Sequence, residues 1–196
     1  MLSSIPAEIL KGIRLTIVFG LLTGVVYPLV FTGFSQVVFN QAANGSLITR
    51  NGQVVGSELI GQEFTSDRYF HGRPSATATP YAADNSAGSN LGPTNPALIS
   101  RVASSARAYR NENGLGPDAK VPVDAVTTDF SGFDPDISEA NALLQVDRVT
   151  KARGLDATRV RALVERYVQG RILWIFGEPY VNVLDLNLAL DSGEAG

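Results

Sequence analysis

Residues 15–39, LTIVFGLLTGVVYPLVFTGFSQVVF, hold no charged side chain, and the next charge downstream is Arg50. At about 1.5 Å per helical residue the run reaches roughly 37 Å, against a hydrocarbon core of about 30 Å. Only a helix satisfies its own backbone donors and acceptors within one lipid-embedded segment, so the run predicts a single transmembrane helix. Lys11 and Arg14 precede it, and no Lys or Arg follows before Arg50. The positive-inside rule then keeps residues 1–14 in the cytoplasm and sends residues 40–196 outside. A cleaved signal peptide is the competing reading, but the run exceeds a typical h-region and Gln41-Ala42-Ala43 is a poor cleavage site.

Within the run, Thr16, Gly20, Thr23, Gly24 and Tyr27 are expected on one helical face. Gly20 and Gly24 make a GxxxG pattern, which lets a second helix approach closely, and the threonines can hydrogen-bond across. Gly20, Thr23, Gly24 and Tyr27 are therefore the expected docking residues for another membrane subunit. Pro28 is expected to bend the helix just beyond them.

From Gln41 onward, 14 Lys and Arg stand against 18 Asp and Glu, a net charge of −4. With no basic patch, nucleic acid is not an expected partner. One histidine and no cysteine leave no set of ligands for a structural zinc, and no metal site is expected. His71 has neither G-x-S-x-G nor a HExxH helix to serve it, so no catalytic residue is assigned. A membrane-tethered enzyme or a ligand-sensing domain are the alternative readings. The first lacks a nucleophile–base constellation, and the second has only about fourteen residues before the membrane for an output.

Asn51-Gly52 between residues 46–50 and 53–57 predicts a hairpin with a type I′ turn. Residues 56–96 read as loop, in which Tyr69 and Phe70 argue for order by packing. Three helices follow, capped by Asn95, Ser138 and Asp156 and closing near Gly114, Gly154 and Gly170. Residues 172–176 and 180–184 read as short strands around Gly177-Glu178-Pro179. The alternation of Leu186, Leu188 and Leu190 leaves strand or helix open. Strands at both ends of a helical middle predict an α+β domain. Asp124, Asp129, Asp134, Asp136 and Glu139 cluster in one linker, as acids do at turns and helix starts; near a pore mouth they would also concentrate cations.

Six strings then carry a family resemblance: GSELIGQEF at 56–64, YFHGRPSA at 69–76, SAGSNLGPTNP at 86–96, VPVDAVTTDFSGFDPDIS at 121–138, QVDRVTKARG at 145–154 and GEPYVNVLDLNLALD at 177–191. In that order, behind one anchor, they resemble the C-subunit family (KdpC) of Kdp-type bacterial potassium-transporting ATPases. Asp129 and Phe130 depart from it, standing where the family has small residues before Ser131-Gly132. The resemblance implies a non-catalytic subunit of a plasma-membrane complex, with a channel-like subunit conducting potassium and a P-type subunit hydrolysing ATP. It implies that the C subunit assembles and stabilises the complex and, as a catalytic chaperone, raises ATP affinity through a glutamine after an SG motif. Gln145, after Ser131-Gly132, matches that position and is the family-implied nucleotide-binding residue. The residues themselves show no Walker A motif or phosphate cradle, and propensity reads Gln145 as an ordinary helix residue. Tyr69, Phe70 and Arg73, with Asn90 and Asn95, are expected to order the domain or meet other subunits.

Overall fold

The computed structural model describes residues 5–77, 79–82, 84–128 and 133–195 of the chain. It divides into two units, Met1–Leu47 and Ile48–Gly196. Asp129, Phe130, Ser131 and Gly132, which figured in the sequence reading, lie outside the described residues.

The first unit is helical. Helix α1 (Ile5–Leu21) runs through one π turn, Leu22–Val26, into α2 (Tyr27–Val38). The Tyr27 N–H bonds to Leu22 O, five residues back. Pro28 gives the physical reason: it brings no N–H, and its ring collides with the carbonyl four residues earlier in a regular helix. The disturbance expected at Pro28 thus takes the form of a bulge in the preceding turn. The bulge places one extra residue in the turn that holds Thr23 and Gly24. Thr16 Oγ1 donates to Gly12 O at 2.9 Å and Thr23 Oγ1 to Phe19 O at 2.7 Å, so both hydroxyl protons stay on their own helix.

Pro6–Val38 is long and apolar enough to cross a membrane, and its apolar window is wholly unburied by the chain. Beyond it, α3 (Asn40–Ala43) follows a break at Phe39. There the side-chain amides of Gln36, Asn40 and Asn44 bond to one another at 3.1–3.2 Å. Such a polar cuff suits the point where a helix leaves hydrocarbon.

In the second unit, β1 (Leu47–Arg50) and β2 (Gln53–Ser57) form the expected hairpin. Asn51 at φ 50° and Gly52 at φ 78° supply the left-handed pair that a type I′ turn requires. Helix α4 (Pro96–Glu112) begins where Asn95 Oδ1 accepts from the Ala97 N–H at 2.9 Å. Strand β3 (Asp136–Ser138) leads straight into α5 (Glu139–Arg153), capped by Ser138 and stopped by Gly154 at φ 68°. Helix α6 (Ala157–Tyr167), capped by Asp156, passes into β4 (Val168–Gln169). Strand β5 (Tyr180–Asn182) opens α7 (Val183–Ser192), for which Asn182 is the cap.

The three strands make an antiparallel sheet in the order β3-β5-β4, with Val181 facing both Ile137 and Val168. Over it pack Val146 and Val149 of α5, Val160, Leu163 and Val164 of α6, and Leu186 and Leu190 of α7. Each of these side chains contributes roughly 1.5–3 kcal/mol by leaving water. Helices around small antiparallel sheets give the α+β class the sequence predicted.

Two expectations about the C-terminal stretch change. Residues 186–190 are helical, because α7 is buried nearly all round, and an all-round apolar helix loses the 3.6-residue signature. Residues 172–176 are not a strand. Ile172 N–H donates to Phe176 O at 2.9 Å and Phe176 N–H to Ile172 O at 3.0 Å, closing a tight turn. Leu173 at φ 52° and Trp174 at φ 62° hold the left-handed conformation there, at about 1–2 kcal/mol for each side chain.

In the sheet, Asp136 stands opposite Asn182, with its Oδ1 buried and unpartnered among the described residues. Burial first, and then the charge of Asp134, push its carboxyl up to about 6. The folded state therefore binds this proton more tightly than the unfolded chain, whose aspartates titrate near about 3.9. The group's contribution is complete below that unfolded value and is lost as pH rises through about 6. Asp136→Asn is expected to raise the Tm of the detergent-solubilised chain by a few degrees at about pH 8 and to change little at about pH 4. A calorimetric scan at both pH values checks this, and equal shifts at the two would count against a buried carboxylate.

Candidate functional site

Residues 66–74 have no regular secondary structure, yet Phe70 in their middle is fully buried. What holds this segment is a set of side chains that pair with its backbone as a neighbouring strand would. Asn187 on α7 accepts from the Phe70 N–H at 2.8 Å and donates to Phe70 O at 2.9 Å. Gln145 on α5 does the same one residue on, accepting from the His71 N–H at 2.8 Å and donating to His71 O at 3.1 Å. Both amides are almost wholly buried.

Arg148 completes the grip. Its Nη1 donates to Asp67 O and Tyr69 O at 3.0 and 2.9 Å, its Nη2 to Gln145 Oε1 at 2.7 Å, and its Nε to Asn113 Oδ1 at 3.1 Å. Burial pulls the guanidinium below its usual range, with Glu112 opposing. His71 Nδ1 lies 2.6 Å from Glu112 Oε1, and its Nε2 faces Ser66 O at 3.0 Å. The bond to His71 holds the Glu112 carboxyl below the usual carboxylate range, with burial working against it. Further along, Arg153 reaches Asp191 at 2.8 Å and lies 4.9 Å over the Tyr69 ring. Arg73 pairs with Asp134 at the segment's far end.

Asn141, Gln145 and Arg148 lie at i, i+4 and i+7 of α5, so one face of the helix presents all three. Asn141 Oδ1 accepts from Gln145 Nε2 at 2.9 Å and from Tyr109 Oη at 2.8 Å. Burial, then the nearby Asp124, push the Tyr109 phenol well above its ordinary value, so it remains a donor. Asp124 in turn takes Asn141 Nδ2 at 2.9 Å, Ser138 Oγ at 2.9 Å and the Ser138 N–H at 2.8 Å. Two members of the acidic linker thus have internal work: Asp124 ties it to α5, and Asp134 ties it to Arg73.

Beside this network lies a cleft of about 280 Å³ lined by His71, Ser105, Tyr109, Glu112 and Gln145. His71 Nδ1 faces Glu112, and its Nε2 lies between Ser66 O and the Arg148 guanidinium. Among the described residues no group of three or more His, Cys, Asp or Glu stands together as metal ligands do. The arrangement's evident chemistry is structural pairing.

The structure brings Tyr69, Phe70, Arg73 and Gln145 together on this segment and its clamp. Asn95 is elsewhere, as the α4 cap, and Asn90 is exposed at φ 50°, a conformation asparagine tolerates. Gly20, Thr23, Gly24 and Tyr27 belong to the helical unit. Sequence reasoning missed Asn141, Arg148 and Asn187. The signal for the two on α5 was the polar set Asn141, Gln145 and Arg148 at i, i+4 and i+7 flanked by Ala142, Val146 and Val149, which marks a polar stripe inside a core; Asn187, on α7, carried no such signal.

Gln145 uses both amide hydrogens and both carbonyl lone pairs within the domain. A ligand could engage it only by breaking the clamp.

The profile of the family described as "KdpC: K+-transporting ATPase, c chain" matches residues 9–192. The chain belongs to the KdpC family. It is 53% identical to the potassium-transporting ATPase KdpC subunit of Rhodopseudomonas palustris (strain BisB18), over 95% of this chain and 98% of that one. The KdpC subunit of Methylobacterium nodulans is 54% identical over 97% and 98% of the two chains. That of Gloeobacter violaceus is 52% identical over 94% and 95%. In this KdpC-family chain the energetics of the clamp are open to direct measurement.

Gln145→Leu strands the His71 N–H and carbonyl in the interior, and each buried orphan costs about 1–3 kcal/mol. The variant is expected to lose at least about 2 kcal/mol in denaturant melts and to expose Arg68 to trypsin several-fold faster. Unchanged stability and unchanged protection at Arg68 would show that the segment is held by something other than the amides.

Proposed function

We propose that this KdpC-family chain is a non-catalytic accessory subunit of a potassium-importing ATPase, assembling and stabilising a channel-like subunit and a P-type ATPase subunit. Its helix docks beside the channel-like subunit through Gly20, Thr23, Gly24 and Tyr27. Its domain, residues 40–196, sits on the extracytoplasmic side of the plasma membrane. Tyr69, Phe70 and Arg73 serve domain order, and Asn90 and Asn95 are surface positions for subunit contact.

One observation carries this reading. A Cβ placed on Gly20 or Gly24 meets nothing within 4 Å in the chain. Nothing internal therefore asks for glycine at either position, although glycine costs a soluble helix about 1 kcal/mol relative to alanine. Close approach of a second helix supplies the missing reason. The orientation is supported by Lys11 and Arg14, the only basic residues before Arg50.

The family-implied chaperone role places a nucleotide at Gln145. That amide would have to surrender four hydrogen bonds and release residues 66–74, so in our reading ATP stays with the P-type subunit.

With a tag on this chain and mild detergent, the channel-like and P-type subunits are expected to co-purify. Gly20→Ile combined with Gly24→Ile should insert normally and lose both partners. Retention of both would end the docking proposal. The chain has no cysteine, so an exposed Ala162→Cys on α6 gives an unambiguous topology probe. A membrane-impermeant maleimide should label it in intact spheroplasts; labelling only after lysis would invert the orientation.

A further inference from the structure

The turn at residues 172–176, between β4 and β5, reads Ile-Leu-Trp-Ile-Phe and is the least accounted-for feature of the domain. All five side chains stand in solvent, Trp174 at 89% exposure. Within the tip, the N–H groups of Ile172, Trp174, Ile175 and Phe176 all bond to carbonyls of residues 171–176. At its neck Arg171 Nη2 pairs with Glu178 Oε2 at 2.7 Å. We propose that this tip inserts shallowly into the membrane–water interface, so that the domain rests on lipid as a second contact besides its helix.

Four observations select lipid as the occupant. The tip is convex and apolar, with one indole N–H as its sole side-chain polar atom. A protein interface fixes register with about one hydrogen bond per 100–200 Å², and the side chains of the tip offer a single donor. Four of its five backbone N–H groups are satisfied from within, which lowers the cost of bringing the tip to the edge of the hydrocarbon. Tryptophan at the apex with aliphatic neighbours and a charged pair behind them is the distribution found at bilayer surfaces. The left-handed conformation of Leu173 and Trp174 turns large side chains outward, at a cost that burial in lipid would offset.

The inference rests on Pro6–Val38 spanning a bilayer, and the experiment separates the two.

Trp174 is the only tryptophan in the chain, so its fluorescence reports the tip alone. The full-length chain is reconstituted into phosphatidylcholine–phosphatidylglycerol vesicles and floated on a density gradient. It is then compared in ordinary vesicles and in vesicles whose acyl chains are brominated near the headgroup. Insertion predicts a blue-shifted emission, loss of most of it with brominated lipid, and protection from aqueous iodide. Emission like that of free tryptophan, quenched by iodide, overturns the proposal while the spanning helix stands. Protection from iodide without quenching by brominated lipid also overturns it, showing that protein covers the tip. Failure to float overturns the anchor and this inference together.

Discussion

The domain depends on two buried carboxamides that imitate a β-strand. Asn187 and Gln145 each bond to both the N–H and the carbonyl of one residue in an otherwise irregular segment, at 2.8–3.1 Å. An irregular chain cannot normally enter a core, because its backbone polar groups would be stranded there. The two amides remove that obstacle, and Phe70 becomes part of the hydrophobic centre. Arg148 then bonds to the carbonyls of Asp67 and Tyr69, binding the whole stretch to one helix.

Such an arrangement is specific as well as stabilising. A buried polar network is favourable only when each member is satisfied, and a partial one is worse than an apolar core. Gln145 and Asn141 meet that standard with bonds to Tyr109, Arg148 and Asp124. The same completeness limits their chemistry, since a residue whose donors and acceptors are all engaged has no spare capacity for a ligand. In the cleft beside them, His71, Glu112, Tyr109 and Gln145 are likewise already paired within the domain.

How much of this could be seen in the residues alone varied with the kind of signal. Caps and turn residues were legible: Asn51-Gly52, Asn95, Ser138, Asp156 and Gly154 do what their side chains and φ angles suggest, because those preferences are local. The apolar run gave the helix but hid the π turn, which arises from a clash between Pro28 and the turn before it. Residues 186–190 were ambiguous because α7 is surrounded by core, and periodicity disappears when every face is buried. Residues 172–176 looked like a strand by composition, and only the closing bonds between Ile172 and Phe176 show a turn. The clamp was the least legible. Gln145 read as an ordinary helix residue, and Asn141, Arg148 and Asn187 drew no reading until the segment they hold is placed beside them, a placement that spans 117 residues for Phe70 and Asn187.

That separation bears on how the protein is made. The Phe70 backbone cannot be satisfied until Asn187 is present, 117 residues further along the chain. Long-range closure of this sort is slow relative to local helix formation. The core therefore cannot shut until the chain has been made through Asn187, and loss of α7 would leave its centre open to water.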